Sequence, residues 1–304
     1  MEPSKLYPIE EYFMTKNRCY RANKRRKPTG IQVHSVGCKG TNRDRWRRWN
    51  TSSIEKCANA IIDTNGIMQT LDWDVRPWLS GKGKNGNAND TYVGFEICEP
   101  ATKNDTAYAA EYLYNCVVYL CTELCKEYGI APENIKCHSE LHSMGMASNH
   151  SDVTHWWGKK GTAWEHYTMY TLRDDVAKNL GKKIPYDTNV TLKNGNAGTN
   201  VYKLQELLNA LGYDCGSPDG LFGKKTLEAV KSLQKDHHLF VDGIVGKQTW
   251  GVLLASTVDE YAEENSEQEA VNDARYTVII KHLEKSEADA IVAQYENAFS
   301  EEET

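Results

Sequence analysis

Nowhere in these 304 residues do eighteen apolar residues run together, so no transmembrane helix is expected. The N-terminus, MEPSKLYPIEEYF, lacks a basic segment followed by an apolar one, which argues against a secretory signal. The nine cysteines are odd in number and irregularly spaced, a pattern that predicts free thiols in a reducing compartment. Cys116, Cys121 and Cys125 fall inside one helical pattern and read as core residues. Helix-turn-helix, RNP and zinc-finger spacings are also missing. The basic runs Arg21–Lys27 and Arg43–Arg48 therefore do not by themselves make a nucleic-acid face. Attraction to some other anionic polymer fits them equally well.

What is present suits globular packing: 40% apolar residues, and a length that predicts two or more domains. The net charge of −6 is unevenly spread. From Asp259 onward there are fourteen Asp and Glu against three Lys and Arg, a balance of −11 that leaves about +5 for the rest.

Along the chain, residues 1–29 read as irregular and basic, closing on the turn signal Pro28-Thr29-Gly30. Ile31–Val36, Ile67–Leu71 and Tyr92–Cys98 read as strands, the last alternating Val93, Phe95 and Ile97 with Tyr92, Gly94 and Glu96. Ser80–Asp90 is a Gly/Asn loop. Thr106–Tyr128 carries apolar residues at three- and four-residue steps and stops at Gly129, a long helix; Trp164–Leu180 predicts another. Strands interleaved with helices predict an α/β domain, a central mostly β-sheet flanked by helices, over residues 1–182. Residues 183–194 read as a linker. An internal echo follows, Asp219-Gly-Leu-Phe-Gly-Lys-Lys-Thr226 and Asp242-Gly-Ile-Val-Gly-Lys-Gln-Thr249, within a compact helical bundle of residues 195–256. Residues 257–274 form an acidic linker, and 275–304 a short βα segment too small to hold a core alone. Such a tail is expected to dock elsewhere, self-association included.

The chemistry concentrates in Asn134–Trp157, which holds four of the nine histidines together with Glu140 and Asp152. Ile135-Lys-Cys-His138 alternates as a strand that delivers His138 to a sheet end, and the polar loop beyond returns with His150-Ser-Asp152. Two imidazoles and a carboxylate, with His34 supplied by the Ile31–Val36 strand, form a common zinc set that leaves one position open. His142 is the alternative third ligand if 138–142 is helical, although Gly145 and the Ser/Asn content argue against a helix. Glu96, read as exposed near its strand end, is the candidate base, and His150 a candidate proton donor or oxyanion partner. His138-Ser-Glu140 matches the H-x-E of zinc deaminases, but the Pro-Cys-x-x-Cys those enzymes need is absent. A Cys–His hydrolase using Cys38 or Cys137 is the other alternative; on a strand Cys137 points away from His138, which favours Cys38, four residues after His34.

Three runs carry a resemblance: Ile31-Gln-Val-His34-Ser, Ala88-Asn-Asp-Thr-Tyr-Val-Gly-Phe-Glu96-Ile-Cys-Glu99, and Cys137-His138-Ser-Glu through Asn149-His150-Ser-Asp152-Val. Together they resemble the zinc-dependent N-acetylmuramoyl-L-alanine amidases of the type-2 amidase and peptidoglycan-recognition family, in the manner of a phage or prophage endolysin. The resemblance implies Zn2+ on His34, His138 and Asp152, catalysis by Glu96 and His150, and bacterial peptidoglycan as substrate. His150 stands where Lys is frequent, and Val153 where Pro is frequent. Trp78, Asn89 and Trp156 are expected to flank the groove and contact substrate. Residues 195–254 resemble the peptidoglycan-binding domain 1 family through Leu204-Gln205, Leu211-Gly-Tyr213 and both Asp-Gly/Gly-x-x-Thr copies. The implied setting is synthesis in a bacterial cytoplasm and release to the wall through a pore. A non-catalytic recognition protein on the same fold is the competing class.

Overall fold

The computed structural model describes residues 6–100, 106–184 and 186–255. A six-stranded mixed sheet organises residues 6–184: β1 (Ile9–Glu11), β2 (Gly30–Lys39), β3 (Ala60–Asp63), β4 (Gly66–Gln69), β5 (Tyr92–Glu99) and β6 (Ile135–Cys137), in the order β1-β4-β3-β5-β2-β6. Only β3 and β4 pair antiparallel; β5, β2 and β6 run parallel at the sheet's other side. Central parallel strands are buried on both faces, and here the two faces do different work. Ile31 and Val33 of β2, Val93, Phe95 and Ile97 of β5, and Ala60 and Ile62 of β3 join one large apolar cluster. The alternate residues, Gln32, His34, Gly94 and Glu96, belong to the opposite face. His34 and Glu96 are direct partners across the β2–β5 ladder.

The apolar face is covered by α3 (Ala107–Tyr128) and α5 (Met169–Asn179). Ala110, Leu113, Val117, Leu120, Cys121 and Leu124 of α3 are buried, and each fully buried Leu or Val contributes about 1.5–3 kcal/mol. Thr106 caps α3 by accepting from the Ala109 amide, and Gly129 ends it at φ 68°. The other face carries a smaller cluster of Met14, Cys19, Trp49, Cys57, Ile61 and Leu71, to which α1 (Arg18–Ala22) and α2 (Asn42–Trp49) contribute.

Several expectations need correction. The segment read as irregular contains β1 and α1, because Asn17 caps α1 and its amide group ties down the carbonyls of Trp49, Ile54 and Lys56. The basic run Arg43–Arg48 is most of α2, closed by a Thr41/Asp44 capping box. The second covering helix starts at Met169, where Thr168 caps it, because Trp164 and Tyr167 are spent on aromatic packing before it. The thiols are not all free: Cys19 and Cys57 form a disulfide across 38 residues. Finally, His138–Ser143 is a helix, α4, begun by Glu140, whose carboxylate accepts from the Cys137 amide.

Beyond residue 186 lies a helical unit of α6 (Thr199–Ala210), α7 (Lys224–Asp236) and α8, helical over 247–255. The repeat explains its packing. In the first copy Gln205 Nε2 donates to Asp219 Oδ1, the Leu221 carbonyl and Thr226 Oγ1, while Gln205 Oε1 accepts from the Asp219 and Gly220 amides. In the second, Gln234 Nε2 donates to Asp242 Oδ1, the Ile244 carbonyl and Thr249 Oγ1, and its Oε1 accepts from the Gly243 amide. A buried glutamine thus plugs each Asp-Gly turn. The acidic linker and βα tail of 257–304 fall outside the described residues. No helix among the described residues is long and apolar enough to cross a membrane.

Candidate metal centre and catalytic cleft

His34 leaves β2 on the polar face, His138 opens α4 at the end of β6, and Asp152 comes back from the loop beyond α4. Asp152 Oδ2 lies 3.0 Å from His34 Nδ1 and 3.3 Å from His138 Nδ1, and the two Nδ1 atoms are 3.1 Å apart. Both rings are buried and Asp152 is partly exposed.

The outer nitrogens settle which lone pairs face inward. His138 Nε2 lies 2.9 Å from the Ser148 carbonyl, which can only accept, so this nitrogen carries the proton. His34 Nε2 lies 3.1 Å from Gln32 Oε1. The Gln32 amide nitrogen donates to the Tyr92 carbonyl and to Asn89 Oδ1, each at 3.2 Å, which turns its oxygen toward His34. Ser80 Oγ donates to that same oxygen. Gln32 can lie across β5 because residue 94 is glycine; a Cβ there would sit 2.5 Å from Gln32 Cγ. In the neutral rings, therefore, three acceptor atoms converge with no proton between the two nitrogens. That donor set fits a cation with imidazole and carboxylate ligands.

The charges agree. Burial lowers His34 from its ordinary value and so favours the neutral ring, against the Asp152 carboxylate, which would favour a protonated one. Burial would raise Asp152, but the two imidazoles beside it, His138 and His34, favour its ionised form and hold its carboxyl well below the usual carboxylate range. Glu96, expected to be exposed, is 8% exposed instead, because β5 lies between β2 and β3 and Glu96 pairs with His34 on one side and Ile61 on the other. Its Oε2 is buried without a hydrogen-bond partner. Burial, and then the nearby Asp152 charge, push it up to about 8. A divalent charge at the three converging atoms would act in the opposite direction.

These residues sit at the floor of a cleft of about 590 Å³ that also takes in Trp49, Lys56, Arg76, Trp78, Lys82 and His150. His150 stands at the exposed edge, its Nδ1 3.2 Å from Ser148 Oγ and its ring 4.8 Å from that of His138. Trp78 lines the cleft. Asn89 lines it too, although its Oδ1 already accepts from Gln32 Nε2 and the Leu79 amide. Trp156 is placed elsewhere: it is buried against Trp164 and donates to Ser35 Oγ. His142, on α4 but exposed, contacts the Ala147 carbonyl rather than the cluster. One turn of helix separates it from His138, and the ring is drawn outward. Neither cysteine meets an imidazole: Cys38 contacts Arg45 and the Val36 carbonyl, and burial pushes the Cys137 thiol up to about 11. Gln32, Ser80 and Ser148 were missed from sequence. Gln32 was detectable, since it alternates onto the same face as His34.

Residues 24–163 match the family described as N-acetylmuramoyl-L-alanine amidase, and residues 197–253 the family described as peptidoglycan binding domain. The chain is similar to a "Probable N-acetylmuramoyl-L-alanine amidase" of Bacillus licheniformis, 30% identical over 56% of this chain and 47% of that protein. It is also similar to N-acetylmuramoyl-L-alanine amidase CwlL of the same species, 28% identical over 56% and 46%. The chain thus spans about half the length of each of these relatives. Among solved structures, the Staphylococcus aureus hydrolase AmiA in complex with its ligand is 18% identical, covering 59% of this chain and 89% of that one, with a TM-score of 0.47.

Proposed function

Residues 24–163 form an N-acetylmuramoyl-L-alanine amidase family domain and residues 197–253 a peptidoglycan-binding one, and from that premise we propose that the chain is a zinc-dependent hydrolase of the endolysin type. Its substrate is the amide between N-acetylmuramic acid and L-alanine in bacterial peptidoglycan. The observation that carries the reading is the convergence of His34 Nδ1, His138 Nδ1 and Asp152 Oδ2, with both outer nitrogens already satisfied. Tetrahedral ligands about 2.0–2.1 Å from zinc stand roughly 3.3 Å from one another, and the three atoms here are 3.0–3.3 Å apart.

A zinc ion held by these three residues supplies Lewis-acid polarisation of the scissile carbonyl and a more acidic water. The remaining steps belong to the chain. Glu96, buried at the cleft floor with a free oxygen, takes the proton of the attacking water and delivers it to the departing amine as the C–N bond breaks. His150, at the exposed edge, steadies the developing oxyanion or donates to the amine. Trp78 and Asn89 offer contacts to glycan or peptide along the cleft, while Trp156, packed in the core, makes none. In this reading residues 1–182 are catalytic, 183–194 link, 195–256 hold the enzyme to the wall, 257–274 are an acidic linker and 275–304 an appended segment.

The test is digestion of purified peptidoglycan by the full chain, with mass analysis of the released ends before and after chelation. New L-alanine amino termini that disappear on chelation and return with Zn2+ are expected. Digestion that survives chelation but stops on thiol alkylation would overturn the zinc reading, and wall binding without any cleavage would make the chain a recognition protein.

A further inference from the structure

The loop that carries Asp152 returns to the sheet through two side chains just beyond it, and neither belongs to the chemistry above. His155 donates from Nδ1 to the Ser151 carbonyl at 3.1 Å, and its Nε2 lies 2.9 Å from Glu99 Oε1. Ser35 Oγ donates to the same Glu99 oxygen at 3.3 Å, and Trp156 Nε1 donates to Ser35 Oγ at 3.3 Å. Glu99 ends β5 three residues after Glu96, and Ser35 follows His34 on β2. The loop is therefore tied to the two strands that carry the other members of the site.

The tie acts on one peptide in particular. The Ser151 carbonyl, immediately before Asp152, also accepts from Thr154 Oγ1 and from the His155 amide, each at 3.1 Å. Three donors on one oxygen fix that peptide plane, and the plane sets the direction in which the Asp152 side chain leaves the backbone. On the other side of Asp152 the backbone is strained. Val153, fully buried, has φ +24°, a conformation that β-branched residues rarely adopt. Strain of this kind persists only where surrounding contacts over-determine it.

We propose that the Glu99–His155 pair is a positioning clamp: it holds the Ser151–Val153 turn in its strained form, keeps the Asp152 carboxylate against the two imidazoles, and so sets the affinity for the metal. The inference rests on the metal-site reading given above. Neither residue lines the cleft or touches the three converging atoms, so both act through Asp152.

The experiment titrates Zn2+ into the chelator-stripped full chain, by competition with a chromophoric chelator, for wild type, His155→Ala and Glu99→Gln. Removing an outer partner of a metal ligand typically weakens binding about 10- to 100-fold. That loss is expected for His155→Ala, with a smaller one, roughly three- to tenfold, for Glu99→Gln. The melting temperature of the stripped protein should stay unchanged, and hydrolysis should return as Zn2+ is raised to saturation. A merely structural role would move the melting temperature and leave the Zn2+ Kd alone. If His155→Ala fails to fold, the near-isosteric Glu99→Gln decides. A Kd within about twofold of wild type in the folded variants, less than the outer-partner effect requires, overturns the clamp while leaving the metal site intact. A wild-type chain that takes up no Zn2+ overturns both.

Discussion

Replacing Glu96 with Gln should make the stripped protein more stable at alkaline pH and the loaded enzyme inactive. Folding places this carboxyl where burial and Asp152 raise it from 4.5 to about 8. At about 1.36 kcal/mol for each tenfold change in proton affinity, the gap corresponds to roughly 4–5 kcal/mol. The sign follows from which state ionises first. As pH rises through about 4.5 the unfolded chain loses this proton while the folded chain keeps it, so folded stability falls. The loss is complete once the folded group also ionises, near pH 8. Glutamine does not titrate, so the mutant escapes this loss. Against it stands the cost of burying an amide without partners, about 1–3 kcal/mol and independent of pH. The two effects separate in urea unfolding of the stripped proteins between pH 4 and 9. Glu96→Gln is expected to be slightly less stable than wild type at the acid end and more stable by about 2–3 kcal/mol at the alkaline end. With zinc content unchanged, hydrolysis should fall about 10²- to 10⁴-fold, the usual size of a lost general base. A stability difference that does not vary with pH would show that Glu96 is not held as a buried carboxyl, and retained turnover in the metal-bound variant would remove it from the mechanism.

The Cys19–Cys57 bond closes a loop of 38 residues, for which chain entropy predicts about 4 kcal/mol of stabilisation. The Cys19→Ser/Cys57→Ser double variant should lose most of that in urea unfolding and keep its hydrolysis where it remains folded. A loss below about 1 kcal/mol would contradict the chain-entropy account. In the helical unit, Gln205→Leu strands the buried Gly220 amide and loosens the part-buried Asp219 amide and Leu221 carbonyl, which water can partly satisfy, a cost of about 2–3 kcal/mol. Wall retention should fall together with the unit's melting transition. An unaltered transition would mean that the glutamine is not a structural plug.

Much of the site was legible because chemistry-bearing residues are dense where the chain must be polar. His138 through Asp152 stand out in a loop rich in Ser, Asn and Gly, and His34 and Glu96 each alternate with apolar neighbours on recognisable strands. Short elements were harder. Ala60–Asp63, buried at all four positions, offers no alternation to read, and α4 forms against its Ser/Asn-rich context because Glu140 caps it and Arg173 pairs with Glu140. The Cys19–Cys57 bond was invisible for a simpler reason: spacing along the chain says nothing about which thiols meet.

By itself, the sequence determined the α/β class, the long covering helix, the doubled Asp-Gly units and the three residues whose ligand atoms converge, since each is written in local periodicity or residue type. Only the tertiary structure decided that Glu96 is buried with an unpartnered oxygen, that Asn89 and Gln32 serve the backbone and His34, that Trp156 belongs to the core, and that His155 and Glu99 grip the loop of Asp152. Those properties arise from side chains brought together across strands and loops far apart in sequence, where solvent exclusion and hydrogen-bond direction are set by neighbours that no local pattern names.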